Sequence, residues 1–203
     1  MSFSGVRNGK LIVFEGIDGT GKSTHIGALK TFLEARGIEV VQSYEPTRGI
    51  WGAKLRDSAV TGRLSLDEEI DLFIKDRQDH VHTLIAPALE RGAWVLLDRY
   101  YLSMMAYQGA RGMDVETIRT LNEEFAPIPD AVIWLDIPVG TALSRIGNRG
   151  ERDAFEAEEA LLSCRNIFAG INEPWMLRVD ANAERDVVAA RVVGALQQYG
   201  ILD

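Results

Sequence analysis

Residues 11–24 read LIVFEGIDGTGKST, and the fold turns on how this stretch is understood. Residues 11–16 are mostly apolar and read as a buried strand. Two further glycines, a lysine and three hydroxyls follow within residues 17–24. Gly16-Ile17-Asp18-Gly19-Thr20-Gly21-Lys22-Ser23 fits the pattern G-x-x-x-x-G-K-[ST] at every fixed position, and Thr24 extends it. Glycines let the backbone turn tightly and aim successive N–H groups inward, a nest for phosphate oxygens. A helix opening near Lys22 adds its positive dipole end. Lys22 is expected to bridge the terminal phosphates and Ser23 to hold Mg²⁺. A nucleoside triphosphate is the expected ligand.

Outward from this stretch, further apolar runs occur at 38–43, 93–98 and 130–136, with a weaker one at 175–180. Helical patterns cover 22–36, 66–91, 138–148, 154–171 and 184–199. Near-continuous apolar strands alternating with amphipathic helices predict an α/β fold with a parallel sheet covered on both faces. No repeat, low-complexity tract or linker interrupts the 203 residues, so a single domain spanning 1–203 is expected.

Bulk properties narrow the function. The net charge of −8 argues against a broad nucleic-acid-binding face. A single cysteine, Cys164, excludes an internal disulfide and a Cys-rich metal site and fits a reducing cytosol. His80 and His82 read as exposed helix residues. The first ten residues lack the apolar core of a secretory signal, and no run approaches a membrane span. A cytoplasmic protein is expected.

Three classes of triphosphate-binding protein compete. A GTPase switch needs Asn-Lys-x-Asp after a later strand, and that string is missing. A motor ATPase usually ends its acidic strand in Asp-Glu. Here the third strand ends Leu-Leu-Asp98-Arg99-Tyr: Asp98 suits the Mg²⁺ shell, and Arg99 suits an anionic acceptor. A small phosphotransferase fits best. It needs arginines near the transferred group, and Arg145, Arg149 and Arg152 cluster at a glycine-containing break within 144–156 that reads as a lid.

The segments FEGIDGTGKST, YEPTRG, LFIKDRQ, LLDRYYLSMMAYQGARG, PDAVIWLD and RVDAN, in that order and spacing, resemble bacterial thymidylate kinases over about residues 10–195. The resemblance implies a three-layer P-loop NTPase fold with a five-stranded parallel sheet flanked by helices, usually a homodimer. It implies γ-phosphoryl transfer from ATP–Mg²⁺ to dTMP, giving dTDP. The catalytic set would be Lys22, Asp18, Arg99, Arg149 and Arg152. ATP would be held by residues 16–24, with Arg145 and the Asp180–Asn182 turn near the adenine. The acceptor site would comprise Asp18, Glu45, Arg56, Phe73, Arg77, Arg99, Ser103, Tyr107 and Gln108. Ser23 and Asp98 would serve the metal. Phe73 and Arg77, four apart on one helix face, would stack on the base and donate to its exocyclic oxygen. By periodicity alone, Phe73 reads as core.

Four positions depart from the family pattern. Tyr44 replaces the arginine before Glu-Pro, with Arg48 as its possible substitute. The lid ends Arg152-Asp153-Ala154-Phe155-Glu156 rather than Asp-Arg-x-Glu. Met104 stands where a small polar residue would meet the ring edge. Thr47-Arg48-Gly49 replaces Gly-Gly-Thr. These leave open a kinase for another acceptor, such as dUMP, a modified pyrimidine or a nucleoside. A non-catalytic nucleotide-binding regulator is a further alternative.

Overall fold

The structure, a computed structural model, describes residues 7–62, 64–147 and 151–203, with the side chains of 59, 60 and 151–157 excepted. Along the chain run β1 (Leu11–Glu15), α1 (Lys22–Glu34), β2 (Val40–Tyr44), α2 (Ile50–Thr61) and α3 (Leu66–His80). A π-helical turn, Val81–Ile85, joins α3 to α4 (Ala86–Glu90). There follow β3 (Trp94–Asp98), α5 (Tyr101–Gly109), α6 (Val115–Glu123), β4 (Ala131–Asp136), α7 (Val139–Ile146), α8 (Glu151–Gly170), β5 (Met176–Asp180) and α9 (Arg185–Gln198).

All pairings are parallel, in the order β2-β3-β1-β4-β5, so the fold is the expected α/β P-loop arrangement of a five-stranded sheet flanked by helices. Burial explains which strands were plain in the sequence. All residues of β1 and β4 are buried, as are the first four of β3, because helices cover both faces of the central strands. The edge strands β2 and β5 mix partly buried and exposed positions, with Val179 alone fully buried, and β5 was the weaker pattern.

The helical reading needs amendment. The segment read as one helix over 66–91 is α3, the π turn and α4, with Pro87 near the start of α4. α2 and α6 were not anticipated. α5 escaped the periodicity because seven of its residues, Tyr101 to Ala106 and Gln108, are buried, leaving no polar face. His80 corrects an expectation: it is buried, its Nδ1 3.0 Å from Glu45 Oε1 and its Nε2 2.8 Å from Ser43 Oγ. His82 is exposed, as expected. No helix among the described residues is long and apolar enough to cross a membrane.

Topology locates the site. β1 and β3 are neighbours, Phe14 opposite Asp98. The connection after β1 leads through α1 to β2 on one side, whereas the connection after β3 leads through α5 and α6 to β4 on the other. Such a reversal opens a crevice beyond the strand C-termini, where ligands bind in open parallel sheets. The glycine-rich loop and Arg99 are the two segments that border it.

Candidate active site

The loop 16–21 closes on itself through its own polar groups. Gly16, Gly19 and Gly21 have φ of 138°, 82° and 88°, values that side chains disfavour. A Cβ on Gly16 would stand 2.6 Å from Leu135 O and one on Gly19 2.7 Å from Ala142 O, so backbone approach demands glycine as well. Thr20 Oγ1 donates to Ile17 O at 3.1 Å. Ile17 and Thr20 are buried, so only their backbone could face a ligand. Gly21 caps α1 without a side-chain bond, leaving first-turn N–H groups for an anion.

Lys22 Nζ donates to Gly16 O at 3.0 Å and Ile17 O at 3.1 Å. Burial, with the charge of Arg99 second, lowers its pKa to about 8. Ser23 Oγ donates to Asp98 Oδ2 at 2.6 Å, joining the start of α1 to the end of β3 across the crevice. Asp18, Gly19, Gly21, Lys22, Ser23 and Thr24, with Asp98 and Arg99, line a cavity of about 270 Å³.

A second cavity, of about 330 Å³, adjoins it, and Asp18 and Arg99 line both. Phe73 and Arg77 of α3, Glu45 and Pro46 after β2, and Ser103, Met104, Tyr107 and Gln108 of α5 form much of its wall. The structure thus brings together all the acceptor residues expected from sequence except Arg56. Arg56 Nη1 instead donates to Pro46 O at 3.1 Å and Thr47 O at 2.6 Å, bracing the loop after β2. Arg48 Nε donates to Tyr44 Oη at 2.6 Å, and neither residue is in the cavity wall.

Arg99 has φ 71°, the one left-handed non-glycine among the described residues. Its backbone is thereby turned sharply off β3, an outlier of the kind that concentrates at functional sites. Nη1 donates to Ser103 Oγ at 3.0 Å, Nη2 to Asp18 Oδ1, and the guanidinium lies 5.0 Å from the Tyr107 ring centre.

Several supporting residues gave no local signal. Glu15, buried at the end of β1, accepts from Tyr100 N at 2.8 Å, Ser103 N at 3.0 Å and Ser103 Oγ at 2.5 Å. It caps α5, which carries four wall residues of the second cavity. Burial raises its pKa to about 7. Asp76 accepts from Thr47 N at 2.7 Å and Thr47 Oγ1 at 2.6 Å. Asn122 bonds Arg77 from α6. Of these, Glu15 alone could have been found from sequence, as a carboxylate inside an otherwise apolar strand.

On the far side, Arg145 Nη1 donates to Gly19 O at 3.3 Å. Asp180 accepts from Asn182 N at 3.0 Å and from Arg191, fixing the turn after β5. Asn182 lines a further hollow with Asp136, which is paired with Arg165 and Arg178. Arg149 and the Arg152 side chain lie outside the described residues.

Phosphate-nest geometry beside a polar-rimmed, partly aromatic cavity is what a two-substrate phosphotransferase requires, and comparison with known proteins agrees. The family described as Thymidylate kinase matches residues 14–192. A protein named Thymidylate kinase from Akkermansia muciniphila is 72% identical over 196 residues, covering 97% of this chain and 95% of its own. One of that name from Xanthomonas oryzae pv. oryzae is 55% identical over 181 residues, 89% of this chain and 79% of its own. Another, from Xanthomonas campestris pv. campestris, is 50% identical over 193 residues, 93% of this chain and 85% of its own. The chain belongs to the thymidylate kinase family.

Proposed function

We propose that this chain transfers the γ-phosphoryl group of ATP to dTMP, yielding dTDP and ADP. The observation that carries the reading is the pair of adjoining cavities sharing Asp18 and Arg99. One has the backbone donors, lysine and helix terminus of a triphosphate site. The other offers a flat-sided wall and a charged rim suited to a pyrimidine monophosphate.

Transfer proceeds in line between the cavities. The loop 16–21 and Lys22 hold the β- and γ-phosphates, Lys22 exchanging its two loop carbonyls for phosphate oxygens. Arg99, at the boundary, holds the acceptor phosphate and offsets repulsion between two anions. A monophosphate oxygen is already a competent nucleophile, so positioning and charge stabilisation suffice without a general base. Arg145, which reaches Gly19 O, borders the donor phosphates, and the family resemblance supports a charge-stabilising role for Arg149 and Arg152, which lie outside the described residues. Asp180 and Asn182 shape the turn that receives the adenine.

The base is read by its donor and acceptor edge. Gln108 lines the second cavity and its buried Oε1 has no hydrogen-bond partner, which supports a reading in which it accepts from the ring N3–H of thymine. Arg77 donates to the 4-carbonyl, Phe73 packs on the ring face, and Tyr107 borders the sugar. Met104 adds apolar contact where a polar group was expected.

Mg²⁺ fits the residues present: Ser23 Oγ and Asp98 Oδ2 bring two hard oxygens together at the triphosphate cavity. When bound, the ion neutralises phosphate charge and orients the γ-phosphoryl group. The family resemblance supports a homodimer, and use of ATP and dTMP supports a cytoplasmic location.

ADP release should be measured with ATP–Mg²⁺ and, in turn, dTMP, dUMP, dCMP, dGMP, UMP and thymidine. Activity led by dTMP is expected. Preference for thymidine would refute the phosphate role of Arg99, and no release with any acceptor would favour a regulatory module.

A further inference from the structure

Arg77 is 1% exposed and its guanidinium has five N–H donors. Nε and Nη2 reach Glu45 at 2.8 and 2.7 Å, but both contacts fall on the same oxygen, Oε2, because Oε1 faces His80 Nδ1. One oxygen shared by two donors holds the charge but fixes the plane of the guanidinium less firmly than a fork onto two oxygens does. Asn122 supplies the missing point. Its Oδ1 accepts from Arg77 Nη1, while its Nδ2 donates to Ile118 O at 2.7 Å. That second bond fixes the amide, since a flipped Asn122 would set its NH₂ against the guanidinium. Met104 Sδ, 3.6 Å from Nη1 and 3.7 Å from Asn122 Nδ2, fills the remaining corner. Asn122 is fully buried on α6 and is not part of the cavity wall.

We propose that Asn122 is a positioning residue for pyrimidine selection. By accepting from Nη1 it locks Arg77 with its remaining donor toward the base, so that a 4-carbonyl is accepted and a 4-amino group refused. This rests on the reading that dTMP is the acceptor. A cytosine 4-amino group would face a locked guanidinium donor to donor, leaving buried N–H groups unpaired, and such mismatches discriminate strongly. An Arg77 free to turn about Glu45 Oε2 would escape part of that penalty. Carbonyl-bearing bases would then bind less well and amino-bearing ones less badly.

The test is steady-state kinetics of the full chain with dTMP and with dCMP, alongside calorimetric dTMP binding and thermal melting. Asn122→Leu keeps the branched shape of the side chain, with somewhat larger bulk, and removes the acceptor. We expect its KM for dTMP to rise about tenfold, the scale of one lost hydrogen bond to a charged group, with kcat within about twofold. The dTMP-over-dCMP ratio of kcat/KM should fall about tenfold. Asn122→Asp keeps the acceptor for Arg77 but gives up the bond to Ile118 O, so it should melt lower than wild type yet restore both values to within about threefold. Should Asn122→Leu not melt cooperatively, Asn122→Ala is read by the same criteria. A folded variant with wild-type KM and wild-type ratio overturns the role of Asn122, as does a loss that Asn122→Asp fails to rescue. Wild-type protein that neither binds nor turns over dTMP overturns the acceptor reading itself, a different failure.

Discussion

Arg99 Nη2 lies 2.5 Å from Asp18 Oδ1, so the residue that follows β3 is paired with the loop that follows β1. Both line both cavities. On the proposed reading the ion pair stands where donor and acceptor phosphates would meet, and an arriving monophosphate would compete with Asp18 for the same guanidinium.

Replacing Arg99 tests that position. Arg99→Gly suits the left-handed backbone at φ 71°, which relieves strain of ~1 kcal/mol and offsets the lost side-chain bonds. Melting should change by only a few degrees. The KM for dTMP should rise about 10- to 100-fold, as for loss of a charge-assisted bond, with ATP affinity little changed. An unchanged KM would exclude Arg99 from phosphate binding.

Lys22→Ala should lower kcat by ~10³-fold while leaving the melting profile cooperative. The wild-type lysine also sets a pH limit. Burial foremost, then Arg99, lowers its pKa from 10.5 to about 8 in the free protein. As pH rises through 8 the ammonium charge is lost, so kcat/KM for ATP should fall with a midpoint there. Bound triphosphate favours the charged form, so kcat should hold to higher pH. A kcat/KM profile flat to pH 9.5 would contradict this.

Glu15 links loop and acceptor helix in a way that pH can expose. Burial raises its pKa from 4.5 to about 7. Between those values the folded protein binds more protons at this site than the unfolded chain does. Its contribution is therefore greatest below pH 4.5 and is lost as pH rises through 7, an effect of up to about 3 kcal/mol. Glu15→Gln removes this titration, so wild-type minus variant stability, from urea melts at pH 5 to 8, should decline with pH. The variant also loses an acceptor for Ser103, and its KM for dTMP should increase. A pH-independent difference would show that Glu15 does not titrate in this range.

Two glycines should respond in opposite directions. A Cβ on Gly52 would stand 2.1 Å from Thr47 O and 2.9 Å from Asp76 Oδ1, so Gly52→Ala must push α2 off the loop that carries Glu45 and Pro46. A loss of about 1–3 kcal/mol and a raised acceptor KM are expected. Gly27, within α1, has nothing within 4 Å of its Cβ position, and Gly27→Ala should stabilise by about 0.5–1 kcal/mol. Chemical denaturation of the two variants checks both signs.

The triphosphate half of the site was legible because it is contiguous: one strand, one turn and one helix start lie within residues 11–24. The central strands were legible because burial on both faces leaves an unbroken apolar run. Edge strand β5 was fainter, being half exposed, and α5 was hidden by its burial all round. The wall of the second cavity was reached through family resemblance, since Phe73 by periodicity alone was indistinguishable from core.

Sequence by itself determined the P-loop, the parallel α/β sheet and the ligand class, because these depend on local backbone freedom and on strand-length apolar patterns. Tertiary structure alone decided which groups hold the wall of the second cavity in place. Asn122 meets Arg77 across 45 residues, Ser103 meets Glu15 across 88, and His80 meets Glu45 across 35. No local pattern encodes such pairs. Each buried charge or amide must find a partner once water is excluded, and only the packing of α3, α5 and α6 against the sheet determines which partner is within reach.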